Sequence, residues 1–402
     1  MNPGATDADA VAVERYLALG LALGRHLDGL VDAYYGPPDL AARAAAGAPQ
    51  PLPALAADAR RLVADLDAGV PGLSDARRRW VRAQVLGLHT VARKLAGEDI
   101  DYRDEVEACY GVRPDAVPED AIAEAHRSLD EALPGRGPVR DRYVNWRRSQ
   151  EVPGHLLEPA VRSLAEDLRE RTGRTFGLPE GEHVDWVFET GKPWAGFNYY
   201  LGDLRSRVAI NVDLPVFSTV LGHLVAHEAY PGHHTEHCRK EVGIVRRRRH
   251  LEETIFLVGT PQCLLAEGLA DLALEALVGE HPEPLLAEHL RPLGIPYDAD
   301  VAARVASAAA TLGAVRGNLA LRLHVDGADP EVVVGEAERW LLLPRERAEK
   351  QVRFLTDPTW RAYIFCYVEG VELCRRFVAG DAARFEQLIT EPLLPADLAA
   401  AA

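Results

Sequence analysis

Positive charge is scarce in this chain: 45 Lys+Arg stand against 61 Asp+Glu, a formal net charge of −16. A surface of that sign repels a phosphate backbone, so nucleic acid is excluded as the main partner. The one basic run, Arg246-Arg247-Arg248-Arg249, reads as a solvated helix face. Cysteine is sparse as well. Cys109, Cys238, Cys263, Cys366 and Cys374 are odd in number and contain no C-x-x-C pair; reduced thiols fit a cytoplasmic setting. No apolar run reaches the ~18 residues of a membrane span. The opening Met1-Asn-Pro-Gly-Ala-Thr-Asp-Ala-Asp lacks the basic-then-apolar pattern of an export signal. A cytoplasmic protein with no membrane partner is therefore expected. No fixed-period repeat occurs, and residues 1–180 carry no metal or nucleophile motif.

What is present is a core's worth of apolar side chains, 48% of 402 residues, enough for one large or two modest domains. Residues 1–180 read as helices cut by Pro-Gly stops at Pro71-Gly72, Pro134-Gly135 and Pro153-Gly154. The first runs from about Ala8 to Tyr35. Residues 181–402 form the second region, continuous with the first. It opens with three short stretches rich in aromatic and β-branched residues, up to Arg207-Val-Ala-Ile-Asn-Val212. These read as a small, about three-stranded sheet, joined by a loop longer than two residues at Gly202-Asp203. Helices return over about 250–258, 261–280 and 358–379, among others. The fold class is mainly α, with one small β-sheet next to the functional helix.

That helix carries His223, His227, Glu228, His233, His234 and His237, five of the chain's 14 histidines within fifteen residues. Two imidazoles one helical turn apart can share one Zn²⁺, and a Glu beside the first can take a proton from the attacking water. His227 and His233 are six apart, however, and an unbroken helix cannot bring them together. Pro231 removes a backbone donor and Gly232 permits unusual backbone angles. Together they are expected to bulge the helix and deliver His233, or His234, into the i+4 place. His223 with His227 is an undistorted alternative pair, but no Glu lies between its histidines.

The third ligand is read from Pro261–Val278, a segment apolar nearly all round except for its acids. Glu267 and Asp271 share one face, four residues apart. A buried carboxylate is costly unless paired or metal-bound. Glu267 is assigned to the ion, and Asp271 to the far nitrogen of a ligand histidine. Two His and one Glu leave a position open for water, as catalytic zinc sites do; Mn²⁺ and Co²⁺ remain alternatives. Tyr363 and Tyr367, also four apart, are the candidate oxyanion donors. The strand from Arg207 offers an edge for an extended peptide, with Tyr200, Arg207 and Asn211 as candidate substrate contacts. The expected activity is a zinc-dependent hydrolase of short peptides. An amidase or esterase of small acyl substrates and a non-catalytic metal-binding protein are the alternatives.

The octapeptide His227-Glu-Ala-Tyr-Pro-Gly-His-His234 resembles the signature of the bacterial domain-of-unknown-function family 885. Glu267-Gly-Leu-Ala is similar to that family's Glu-Gly-Trp-Ala, with Leu269 in the tryptophan's place. Tyr367-Val-Glu-Gly370 stands where the family has Tyr-Lys-Ile-Gly. The resemblance spans about residues 185–375. It implies a multi-helical, zincin-like fold with a glutamate third ligand, related to thermolysin-like enzymes and to the helical carboxypeptidases of the Taq type.

Overall fold

The computed structural model describes residues 5–192, 194–213 and 215–401. The chain is mainly helical with two small sheets. Helices form where apolar residues recur at helical spacing. In Leu52–Ala68 the buried positions are Leu55, Ala59, Leu62 and Leu66, one stripe, and this stripe packs on the helix Asp75–Leu95. Caps fall where expected: Ser74 accepts from the Arg77 amide, and Asp101 from those of Arg103 and Asp104. One apolar cluster runs from Ala12 to Leu398, so both regions contribute to the same core.

The first helix stops earlier than its periodicity suggests. It covers Ala5–Gly24, and residues Val31–Tyr34 are a strand, β1. Gly29, in the left-handed region at φ +79, turns the chain between them. Three further strands form the main sheet: β2 (His183–Glu189), β3 (Gly196–Gly202) and β4 (Arg205–Asn211). Its order is β2-β4-β3, with β2 parallel and β3 antiparallel to β4. The loop between β3 and β4 is shorter than expected, only Asp203-Leu204. Both residues are left-handed (φ 51 and 61), as a two-residue hairpin requires.

Residues 250–258 are not the expected helix. A single turn at Leu251–Thr254 leads into β5, Ile255–Leu257, which pairs antiparallel with β1. β-Branched and aromatic side chains suit this ribbon, and it stitches the first region to the second. Residues 358–379 are likewise broken. A wide helical turn at Cys366–Gly370 precedes the helix Val371–Val378. This segment lies against Pro261–Val278 with glycine facing glycine. A Cβ on Gly268 would stand 2.3 Å from the Gly370 carbonyl oxygen, and one on Gly370 would stand 2.6 Å from that of Leu264.

Such backbone contact leaves no room for a methyl group. Gly268→Ala is expected to cost about 1–3 kcal/mol as an overpacked site, read as a lower thermal midpoint. An unchanged midpoint would refute the close packing.

Candidate metal centre

The motif residues lie on two helices rather than one bulged helix. The first, Ser218–Glu228, ends at Ala229, whose φ/ψ of −131/−76 leaves the helical region. Across Tyr230-Pro231-Gly232 the chain turns, and the second helix, His233–Lys240, begins; the Tyr230–Pro231 peptide is cis. Gly232 packs backbone to backbone on the first helix. Its amide donates to the Ala226 carbonyl at 2.9 Å, and a Cβ there would sit 2.1 Å from the His227 carbonyl oxygen. The expectation of a bulge is thus replaced by a break and restart, because Gly232 folds back onto the last turn. The delivery of a later histidine is the same in effect: the His227 and His233 rings stand 4.7 Å apart at 90°.

Glu267 comes up from Pro261–Val278, whose residues from Pro261 to Ala270 are all buried. Its Oε2 lies 3.5 Å from Nε2 of His227, and its Oε1 lies 3.4 Å from Nε2 of His233. One donor atom from each residue fits within 4.8 Å of the others. Ligand atoms on one tetrahedral zinc, each about 2.0–2.2 Å from the ion, stand roughly 3.3–3.5 Å apart. The two separations, one to each Glu267 oxygen, are close to that spacing and long for direct hydrogen bonds. Oε2 of Glu267 is buried without a hydrogen-bond partner, while Oε1 accepts from the Tyr363 hydroxyl at 2.8 Å. An orphaned carboxylate oxygen between two imidazoles fits a bound cation.

Around this trio the structure places the other candidates. Nδ1 of His227 meets Oδ1 of Asp271 at 2.9 Å, and Nε2 of the more exposed His223 reaches the same oxygen at 3.3 Å. His223, His227 and Asp271 thus make a second possible ligand group. His234 points away from the trio, fully buried between Ser206 and Glu182 at 2.8 Å each. Glu228 is buried beside the trio. Burial lifts its carboxyl above the ordinary range, with His227 and His233 opposing the lift and Glu267 adding to it. Glu267 is held low: burial opposes this, but His233 and His227 outweigh it. The Tyr367 ring packs edge-on against Tyr363 at 5.4 Å.

The edge expected at the strand from Arg207 is corrected. Strand β4 is central, paired on both sides, so its backbone cannot accept another strand. Arg207 lies over the Tyr199 ring at 4.5 Å, Asn211 donates to the Lys192 and Trp194 carbonyls, and Tyr200 donates to Glu241. All three are tied into the sheet and its surroundings. Residues not anticipated from sequence occupy the site instead. Gly196 of β3 lies where a Cβ would come 3.0 Å from Oε1 of Glu228, and Asn198 donates to the Glu228 carbonyl at 2.6 Å. Burial pushes the carboxyl of Asp32, on β1, up to about 7, with the charge of His233 opposing the rise and those of Glu267 and Glu228 adding to it. The signal available for it was local: after Gly29, Leu30-Val-Asp-Ala-Tyr-Tyr35 has the composition of a short strand.

No protein-family model matches the chain, and no curated protein matches it by sequence. Solved structures do. A "putative lipoprotein" from Colwellia psychrerythraea matches with a TM-score of 0.51 at 15% identity, over 86% of this chain and 65% of that one. This chain therefore spans less than two thirds of that relative's length. A "putative lipoprotein of unknown function" from Shewanella oneidensis matches at 0.48 and 14%, over 86% and 71%. A Pyrococcus furiosus carboxypeptidase matches at 0.37 and 14%, over 88% and 73%. The first shows a shared fold; the other two, below 0.5, add nothing to the argument. The cytoplasmic expectation is corrected: the neighbour that shares the fold bears the name of a lipoprotein, a class that is membrane-anchored or secreted. Five buried, unbridged thiols do not identify a compartment, because burial alone protects a thiol. No described helix is long and apolar enough to cross a membrane.

The two neighbouring histidines should separate cleanly. His233→Ala is expected to lower zinc affinity by more than the roughly 10–100-fold expected of Asp271→Asn. His234→Ala should leave zinc binding intact and cost about 1–3 kcal/mol in stability, by leaving the buried Ser206 hydroxyl without its partner. Zinc titration with a competing chelator, beside thermal melts, checks both. The reverse pattern would exchange their roles.

Proposed function

We propose that this chain is a zinc-dependent hydrolase acting on the amide bond of short peptides. The observation that carries the reading is the convergence of His227, His233 and Glu267 beside a buried Glu228. Bound there, zinc would supply Lewis acidity and a nucleophilic water at neutral pH. The octapeptide from His227 to His234 supports a place in or beside domain-of-unknown-function family 885.

The remaining work falls to side chains. Asp271 accepts from Nδ1 of His227, which fixes the ring and leaves Nε2 as the ligating atom. Tyr363, by donating to Oε1 of Glu267, fixes the carboxylate and leaves Oε2 as the oxygen that would be free for an ion. Glu228 takes the proton of the attacking water and passes it to the leaving nitrogen. Its lifted pKa suits both halves of that transfer. Asn198 steadies the helix end that carries Glu228. Tyr363 being committed to Glu267, Tyr367 is the tyrosine assigned to the developing oxyanion. An extended substrate would lie along β3, an outer strand of the sheet that passes beside Glu228.

Protein purified without chelator should contain about one zinc per chain by inductively coupled plasma mass spectrometry. Glu228→Gln should retain that zinc and lose roughly 10²–10⁴-fold in kcat on peptide substrates. Full activity in this variant would sink the assignment. Peptides left intact while esters turn over would move the substrate class to small acyl esters.

A further inference from the structure

Several buried acids of this chain are met by a cation. Glu105 pairs with Lys94 at 2.6 Å, Glu252 with Arg77 at 2.7 Å, and Glu236 with Lys240 at 2.7 Å. Glu253, 4% exposed, is met by an amide instead. Nε2 of Gln262, itself 6% exposed, donates to Oε2 of Glu253 at 3.1 Å. Oε1 of Glu253 is buried without a hydrogen-bond partner, and so is Oε1 of Gln262. Among the described residues, no other two orphaned side-chain atoms belong to side chains already bonded to each other. A carboxylate oxygen and an amide oxygen are both acceptors and cannot satisfy one another. A protonated carboxyl can: it gains an O–H, and an acid then pairs with a primary amide through two bonds, N–H to one oxygen and O–H to the other.

The pair sits at a joint. Gln262 is in the first turn of Pro261–Val278, the helix of Glu267. Its backbone amide donates at 3.1 Å to Oε1 of Gln84, on the helix Asp75–Leu95. Glu253 lies in the turn that leads into β5, and its carbonyl accepts at 2.9 Å from the hydroxyl of Tyr35, just past β1. The charges that act on Glu253 are those of Lys240, Glu252, Glu236 and Glu391, and only Lys240 favours the ionised form. Lys240 is committed to Glu236, Glu252 to Arg77, and Glu391 to Arg248 at 2.6 Å. Tyr16 and Tyr35 are kept neutral by burial, and His250, whose carbonyl accepts from the Glu253 amide, is held below its usual range by burial. Burial pushes the Glu253 carboxyl up to about 7.

We propose that Glu253 and Gln262 form a proton-dependent latch: Glu253 is a neutral acid in the folded chain, its Oε1–H donates to Oε1 of Gln262, and loss of that proton loosens the start of the Glu267 helix. The latch stands whether or not the chain is a metal hydrolase. The sign follows from where the proton is held. An unfolded glutamate titrates near ~4.3, so between that pH and about 7 the folded chain binds the extra proton. Stability falls as pH rises through this window, by up to about tenfold per pH unit in the folding equilibrium, and the latch's contribution is constant above it.

Glu253→Gln supplies an amide that can make the same two bonds at any pH, and thermal melts of the full chain compare it with the wild type. The wild-type midpoint is expected to fall relative to the variant's as pH rises to about 7 and to run parallel beyond. Amide hydrogen exchange in the first turn of Pro261–Val278 should quicken over the same window relative to the variant. Infrared spectra below neutral pH should show a hydrogen-bonded, protonated carboxyl that Glu253→Gln lacks. Should that variant fail to fold, Gln262→Met removes the amide, and the carboxyl band should move to the position of an unbonded acid. Midpoints that stay parallel throughout overturn the proposal, as do exchange rates that keep step or a band unmoved in Gln262→Met. Glu253 is then ionised, and water or a cation meets its free oxygen.

Discussion

Glu267 is a carboxylate in a helix otherwise packed into apolar surroundings, and the site is built around the cost of keeping it charged there. An ion of that kind loses several kcal/mol of solvation on burial. The fold offsets this from three sides: His227 and His233 against its oxygens, and the Tyr363 hydroxyl on Oε1. The compensation stops one oxygen short, since Oε2 has no partner. Asp271, one turn further along the same helix, repeats the arrangement with His223 and His227. Two acids at i, i+4 thus fix three histidines, and the pattern closes once a cation completes it.

Close backbone approach makes this geometry possible. Gly232 lies against the His227 carbonyl, which allows the second motif helix to begin beside the first rather than above it. Gly268 and Gly370 let the Cys366–Gly370 turn settle onto the Glu267 helix, bringing Tyr363 and Tyr367 in from a distant part of the chain. Gly196 gives β3 clearance past Glu228. At each of these three places a side chain would displace a residue of the candidate site, and in an enzyme displacements of ~1 Å are enough to cost rate.

The local part of the site was legible in the sequence. Glu267 and Asp271 were readable because two acids on one face of an apolar helix need a reason. The pairing of Asp271 with His227 follows from the chemistry of a ligand imidazole. Choosing between His233 and His234 was beyond reach, because it depends on Glu182 and Ser206, distant residues that bind His234. The edge expected of the Arg207 strand was misplaced for a related reason. Alternation along Arg207–Val212 correctly marks a strand, but whether a strand is central or at an edge depends on what pairs with it. The parallel partner β2 comes from upstream, beyond a crossover no local pattern announces.

The β1–β5 ribbon has a larger consequence than its few residues suggest. It joins residue 31 to residue 257 and so ties the first region to the chain that leads directly into the Glu267 helix. The helices of residues 1–180 are then part of what positions the chemistry. Their shared core with the remainder supports β1 where it pairs with β5. Side chains that must face a reacting group work best on supported backbone of this kind. A motif-centred reading credits function to the stretch that looks unusual, here the histidines. Ordinary-looking chain two hundred residues away is nonetheless held beside the start of the Glu267 helix, by strand pairing and by the shared core.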